Sequence, residues 1–246
     1  MQLHLVFSPD TNEIELPLHY NRLVQALVYK LMGPHLASFV HSTGFKSGDR
    51  SLRLFAFSRL LGNYQINRQD STIRFNGEVR LIVASPIGAV LQEWATSLVE
   101  TDFVMLGKNK LRLAEVRVED PIVKTSEIKI QTASPISVYS TLYRKDGAPF
   151  TCFFEPGQPE FNQLISRNLQ NKAEALGLDA DVDNGVNLVP LGRLKPSLVK
   201  YKGGVIKGVS GTFEALGDPK LLQVGLNAGF GAKNSQGFGL CILKGG

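Results

Sequence analysis

Cysteine is scarce. The 246-residue chain holds two, Cys152 and Cys241, far apart and in no CxxC pair. Such spacing gives neither a disulfide framework nor a thiolate zinc site, and it suits a reducing compartment, so a cytoplasmic protein is expected. Long apolar runs are missing too: no stretch approaches the roughly 18 residues that a membrane-spanning helix needs, so no membrane is expected as a partner. The start, Met1-Gln2-Leu3-His4, lacks the basic n-region of a secretory leader, and none is expected. No G-x-x-x-x-G-K-[ST] phosphate loop occurs anywhere. The four histidines, His4, His19, His35 and His41, have no H-x-E or H-E-x-x-H context and no carboxylate cluster. No metal and no cofactor are therefore expected.

What is present is a core and an uneven positive charge. Hydrophobic residues make up 43% of the chain and the formal net charge is +5, enough apolar material for one large or two small domains. Residues 1–123 hold 13 Lys and Arg against 12 Asp and Glu, whereas residues 124–246 hold 14 against 10. Between Asn184 and Phe213 stand Arg193, Lys195, Lys200, Lys202 and Lys207 with no acidic residue. A basic tract of this kind points to a polyanionic partner, and it belongs to the C-terminal half.

The order of apolar patterns suggests the fold. Gln2 to Ser8 alternates as a strand, and Tyr20 to Met32 has helical spacing. After Gly33-Pro34 a second short helix is expected through Leu36, Phe39 and Val40 to His41, followed by a polar loop from Gly44 to Asp49. Strands are expected over Leu52–Ser58, Thr72–Phe75, Val79–Ala84 and Leu111–Val118, with an amphipathic helix over Pro86–Val99. This β-α-β-β-α-β order is the ferredoxin-like arrangement shared by RNA-recognition modules. A boundary near Asp120-Pro121 separates it from a second half. There Ile128–Ile130 and Ile136–Ser140 read as strands, Phe161–Leu176 as a helix and Lys195–Ala215 as a hairpin around Gly203-Gly204. A short helix near Lys220 and a strand at Leu240 complete it. The expected fold class is α+β, with two tandem ferredoxin-like domains at residues 1–120 and 121–246.

The most informative stretch is Gly229-Phe230-Gly231-Ala232-Lys233-Asn234-Ser235-Gln236-Gly237-Phe238-Gly239. Glycines allow positive φ and close approach, and successive exposed N–H groups can cradle an anion. Its phenylalanines could anchor the loop in a core or stack on bases. Gly-Phe-Gly pairs also make ordinary turns. Gly229, Gly231, Lys233, Asn234, Ser235, Gly237 and Gly239 are the candidate phosphate-binding residues here, extended by the five hairpin cations. For chemistry, His41 ends an apolar helical run beside the 44–49 loop, and an unperturbed imidazole near pH 6.5 suits proton transfer. Tyr29 on the preceding helix could face it across a tight turn. Lys46 and Arg53 could neutralise charge on a phosphorane. His4 and His19 read as structural.

At these residues the chain resembles the CRISPR-associated repeat-processing endoribonucleases, within the wider family of repeat-associated RNA-binding proteins. The likeness rests on Pro17-Leu18-His19-Tyr20-Asn21, Gln25-Ala26-Leu27-Val28-Tyr29, Leu36-Ala37-Ser38-Phe39-Val40-His41, Leu54-Phe55-Ala56-Phe57-Ser58 and the segment from Val224 through Gly239. The resemblance implies tandem ferredoxin-like domains and metal-independent cleavage of CRISPR repeat RNA, the precursor of guide RNA. In that chemistry the 2′-OH attacks its own phosphodiester, leaving a 2′,3′-cyclic phosphate and a 5′-OH. It implies His41 as general acid or base and Tyr29 as the catalytic tyrosine. The family often carries a lysine just before its Leu-Phe-x-aromatic-Ser strand, where this chain has Arg53; an arginine neutralises charge but does not donate its proton, so Lys46 is the other candidate. Other CRISPR effector-complex proteins are implied as further partners, and apolar faces leave homodimerisation open. Two other readings are a non-catalytic RNA-binding subunit with the same fold and a protein–protein scaffold.

Overall fold

The computed structural model of the chain describes residues 1–180 and 184–245. In the N-terminal half the order is β1 (Gln2–Pro9), β2 (Glu13–Pro17), α1 (Asn21–Lys30), α2 (Pro34–Ser38), a π-helical turn (Phe39–Thr43), β3 (Phe45–Ser47), β4 (Arg50–Leu52), β5 (Ala56–Phe57), β6 (Leu61–Asn67), β7 (Thr72–Ala84), α3 (Gly88–Glu100), β8 (Val104–Leu106) and β9 (Asn109–Glu119). The C-terminal half follows with β10 (Glu127–Thr132), β11 (Tyr139–Tyr143), β12 (Pro149–Phe153), α4 (Pro159–Ala175), β13 (Asn187–Tyr201), β14 (Gly204–Leu216), α5 (Pro219–Ala228), a 3₁₀ turn (Asn234–Gln236) and β15 (Cys241–Leu243). Among the described residues no helix is long and apolar enough to cross a membrane.

Both halves share one antiparallel topology. In the first, β1 lies between β7 and β9, and β5 and β6 pair with β7. In the second, β10 lies between β14 and β15, and β13 pairs with β14. First strand in the centre, third and fourth beside it, second at the edge: this is the ferredoxin-like order, stated twice. The chain is two tandem ferredoxin-like folds.

Periodicity explains the packing. Leu3, Leu5 and Phe7 point from β1 to one buried face, as the two-residue repeat of a strand requires. Above them lie Val24, Leu27 and Val28 of α1 and Val90, Trp94 and Leu98 of α3. The Trp94 indole N–H donates to the Val28 carbonyl at 3.0 Å, joining the two helices. In the second half Phe161, Ile165 and Leu169 recur every four residues on α4 and pack with Leu222 of α5 over Ile130 and Phe213. The Asp218 carboxylate caps α5 by accepting from the amides of Lys220 and Leu221, and Pro219 opens its first turn.

Several expectations need correction. The segment expected as a 44–49 loop is largely a hairpin: β3 and β4 pair Phe45 with Leu52 and turn at Gly48-Asp49, so Lys46 sits on a strand. The single strand expected over Leu52–Ser58 is broken. Leu54 adopts φ +39° and enters the C-terminal core, whereas Phe55 and Phe57 enter the N-terminal one, so strict alternation cannot hold. Conversely, Thr72–Phe75 and Val79–Ala84 are one 13-residue strand, because Gly77 at φ +74° lets the ladder continue. Ile136 makes only an isolated bridge to Val209, and the strand expected at 136–140 begins at Tyr139. The long hairpin turns at Lys202-Gly203, one residue earlier than expected, with both residues at positive φ as a tight two-residue turn demands. Strands β2, β6 and β8 had no sequence signal strong enough to register.

Gly225 sits inside α5, where a Cβ would fall on the ring of Phe230. Helix propensity favours Gly→Ala by roughly 1 kcal/mol, but overpacking here costs about 1–3 kcal/mol. Gly225→Ala is therefore expected to lower stability, read as an earlier midpoint in denaturant unfolding.

Candidate active site

Helix α1 presents Asn21, Gln25 and Tyr29 at a spacing of four residues, so the three share one face. That face organises the site. At its C-terminal end the Tyr29 ring stands edge-on to the His41 imidazole, ring centres 5.9 Å apart, and edge-on to Phe55, 5.4 Å away. His41 is held in the middle of the π-helical turn, exposed to solvent, while Val40 beside it is buried. The wider turn rotates successive side chains, burying one and presenting the next.

Arg53 completes the group. Its guanidinium donates to the His41 carbonyl at 2.7 Å and to the Ser51 carbonyl at 3.1 Å, and its charge lies close enough to act on the Tyr29 phenol. Burial pushes the Tyr29 pKa up, and Arg53 offsets part of that. The phenol therefore keeps its proton at neutral pH. Tyr29, His41 and Arg53 are brought together. Lys46 is exposed on β3 opposite Ser51, and among the described residues no hydrogen bond or ring contact joins it to the other three.

The glycine-rich segment packs against the other end of the same helix face. Asn21 Nδ2 donates to the Gln236 carbonyl at 2.8 Å, and Gln25 Nε2 donates to the Ser235 carbonyl at 2.6 Å. The glycines themselves are buried, which corrects the expectation of an open amide cradle. The N–H groups of Phe230, Ala232 and Gly239 are spent on the carbonyls of Gly239, Ser137 and Pro135, each at 2.8 Å. Glycine is required for room: at Gly231 a Cβ would stand 2.6 Å from the Ser137 oxygen, and at Gly237 2.7 Å from Asn21 Nδ2. Phe230 and Phe238 are fully buried anchors. Gly229 and Gly239 likewise face the protein interior, and Asn234 points inward. Lys233, in a left-handed conformation, and Ser235 remain at the surface of the loop.

The residue that closes this loop was not anticipated from sequence. Lys172 of α4 is 4% exposed, and its ammonium donates to the carbonyls of Gly229 (2.6 Å) and Gly231 (3.3 Å) and to Asn234 Oδ1 (2.8 Å). Asn234 in turn donates to the carbonyls of Phe230 (3.2 Å) and Phe238 (3.0 Å). Two side chains thus satisfy four inward-facing carbonyls. Burial pushes the Lys172 pKa down to about 7. Its signal was present: Lys172 continues the buried Phe161-Ile165-Leu169 stripe, where a lysine has no business unless it is paired.

The hairpin cations do not converge on Tyr29 and His41. Arg193, Lys195, Lys200, Lys202 and Lys207 are all exposed along β13 and β14. Leu198 pairs with Lys207 and Lys200 with Val205, so Lys200 and Lys207 share the outer face. The hairpin is nevertheless fastened to the site. The Tyr201 hydroxyl hydrogen-bonds Gln25, and Arg59 donates to Ser197 at 2.9 Å. His19 lies close enough to Lys200 for that charge to add to burial in lowering its pKa. His4 is buried with Nε2 3.2 Å from a Glu119 oxygen, a structural position. Among the described residues no group of three or more His, Cys, Asp or Glu is placed to hold a metal ion.

Tandem ferredoxin-like folds joined at a buried glycine loop that packs on α1 define the architectural class of this protein. Residues 118–243 match the family model described as CRISPR associated protein Cas6, C-terminal, and the chain belongs to that family. It is 24% identical to CRISPR-associated endoribonuclease Cas6 1 of Methanocaldococcus jannaschii, over 98% of this chain and 92% of that protein. It is 25% identical to CRISPR-associated endoribonuclease Cas6 of Pyrococcus furiosus, over 99% and 89%. A solved structure of a Cas6-related protein from Pyrococcus furiosus superposes with a TM-score of 0.84 at 19% identity, covering 99% of this chain and 98% of that one.

Removing the Lys172 charge tests the closure of the loop. With a native pKa near 7 and an unfolded value near 10.4, the unfolded chain binds the extra proton between those limits. Stability from this group therefore rises with pH from about 7 to about 10, by at most about 1.4 kcal/mol per pH unit. Below pH 7 both states hold the proton and the slope vanishes. Lys172→Met, which strips the donor from three oxygens, is expected to be less stable at pH 7.5 and to lack that extra slope. Paired urea titrations of both proteins at pH 7.5 and 9 read it directly.

Proposed function

We propose that this chain is an endoribonuclease that cuts within CRISPR repeat RNA to release guide RNAs, by a metal-independent transesterification. The observation that carries the reading is the Tyr29–His41–Arg53 group, set on the face of α1 that also holds the glycine loop. Both named relatives are CRISPR-associated endoribonucleases, which supports the same reaction class. The two domains, residues 1–120 and 121–246, divide the work: the first supplies the reacting group, the second most of the positive surface.

In this reaction the 2′-OH of one ribose attacks the adjacent phosphorus, and the bond to the 5′ oxygen of the next nucleotide breaks. One proton leaves the attacking oxygen and one must reach the departing oxygen. His41 is the titratable group exposed at the site and moves one of them. Tyr29 cannot serve as a base, because burial holds its proton on. Its O–H, kept protonated beside the Arg53 charge, donates to the phosphate or the leaving group. The Arg53 guanidinium neutralises charge that builds on the phosphorane without giving up a proton. Lys46, on the neighbouring hairpin, adds a cation near the substrate path. Lys233 and Ser235 on the loop, with Arg193, Lys195, Lys200, Lys202 and Lys207 on the hairpin, hold flanking phosphates, so binding weakens as salt rises.

Wild type, His41→Ala and Tyr29→Phe, incubated in EDTA with labelled repeat RNA, test this. Wild type should make a single cut yielding a 2′,3′-cyclic phosphate, abolished by one 2′-deoxy at the cleavage site. His41→Ala should fall by about 10²–10⁴-fold in single-turnover rate with affinity retained. Tight binding by wild type without a cut would make the protein an RNA-binding subunit.

A further inference from the structure

Past Arg53 the surface opens into two cavities that share a wall. The first, about 260 Å³, is lined by Arg53, Asn168, Tyr139 and Lys233 among others. The second, about 380 Å³, includes Arg50, Arg167, Tyr139 and Asn168. Tyr139, Asn168 and Ala232 belong to both, so the two are compartments of one site. Their combined size lies within the range of small-ligand pockets.

The lining is chemically specific. Five basic residues line the compartments, Arg50, Arg53, Arg167, Lys233 and Lys172, of which Lys172 is already spent on the glycine loop, and among the described residues no carboxylate does. The shared wall carries an aromatic ring, Tyr139, with the Lys233 ammonium 4.9 Å from its centre. It also carries Asn168, whose amide oxygen is buried and has no hydrogen-bond partner among the described residues. A buried acceptor left unpaired is costly, and a small turn of this side chain would offer its oxygen to a donor that arrives with a ligand. A simple anion would satisfy the cations but not the amide acceptor, and it would leave the ring without purpose. An unstacked nucleotide satisfies all three: its base has a π-face for tyrosine, an N–H on its edge for the amide, and phosphates on either side for the cations.

We propose that the paired cavities hold one extruded nucleotide of the RNA substrate, adjacent to the phosphate cut at Tyr29 and His41. Its base stacks on Tyr139 and donates from its edge to Asn168, while Arg50, Arg167 and Lys233 hold its phosphates. Because Arg53 lines the first compartment and also contacts Tyr29 and His41, extruding this nucleotide fixes which phosphodiester reaches the reacting group. The pocket thereby sets the cleavage position. The inference rests on the reading of the chain as a repeat-RNA endoribonuclease.

The test is an abasic scan. Repeat RNA from the CRISPR array of the protein's own genome is synthesised with single abasic sites across the cleavage region, and binding and cut position are measured. In wild type one abasic site beside the cut should weaken binding by roughly tenfold or more and blur the cut position. In Tyr139→Leu that same abasic site should cost nothing further, whereas Tyr139→Phe, which keeps the ring, should respond as wild type does. Asn168→Ala should lose discrimination among bases at that one position. If wild type binds and cuts the RNA but no single abasic site matters, the pocket is overturned while the nuclease stands. Equal losses in wild type and Tyr139→Leu overturn it too. Failure of wild type to bind or cut any of the RNAs overturns both.

Discussion

A single buried lysine amino group holds the site in place. Lys172 reaches from the C-terminal domain's first helix into a knot of carbonyl oxygens that no backbone partner reaches, and with Asn234 it lets the glycine-rich segment fold inward on itself. Everything placed by that loop depends on this contact. Ser235 and Gln236 meet α1 through their carbonyls, and α1 carries Tyr29 eight residues from Asn21. Elsewhere the domains meet through apolar packing, with Leu54 of one embedded in the core of the other, and through further hydrogen bonds such as those from Gln2 Nε2 to the Leu226 and Cys241 carbonyls. Apolar packing supplies adhesion but little direction; the hydrogen bonds set the register.

This arrangement changes the meaning of the glycines. A run rich in glycine and flanked by positive charge invites the picture of bare backbone wrapped round a phosphate. Here four glycines at positive φ allow the backbone to pass within contact distance of Ser137, Asn21, Phe57 and Phe230. The side chains that the tight fold leaves at the surface are Lys233 and Ser235. The buried loop acts as a jig.

The sequence disclosed the ferredoxin-like order well, because each half alternates strands and helices of ordinary length with clear period-two and period-four patterns. It failed where two cores compete for one segment. Residues 52–58 look like a continuous strand, yet Leu54 and Phe55 are claimed by different domains, and no local pattern announces that. Short edge strands such as β8 are similarly silent, since three residues carry too little periodicity. In the site, Tyr29, His41 and Arg53 were all legible, and the structure brings them into contact. Lys46 was placed in a loop and lies on a strand. Lys172 and Tyr139 went unremarked: the place of Lys172 on the buried stripe of its helix was visible but its partners were not, and Tyr139 carried no signal beyond that of a strand residue.

The hairpin tip adds a last consequence. Tyr201, the final residue of β13, hydrogen-bonds Gln25, and Gln25 also holds Ser235. A strand of 15 residues projecting its cations outward is thereby pinned at its far end to the helix that carries Tyr29. Such a lever cannot drift independently of its fulcrum. A change in the reach of the hairpin must be matched at residues 25 and 201 together, so the arm should evolve by paired substitutions rather than by free variation.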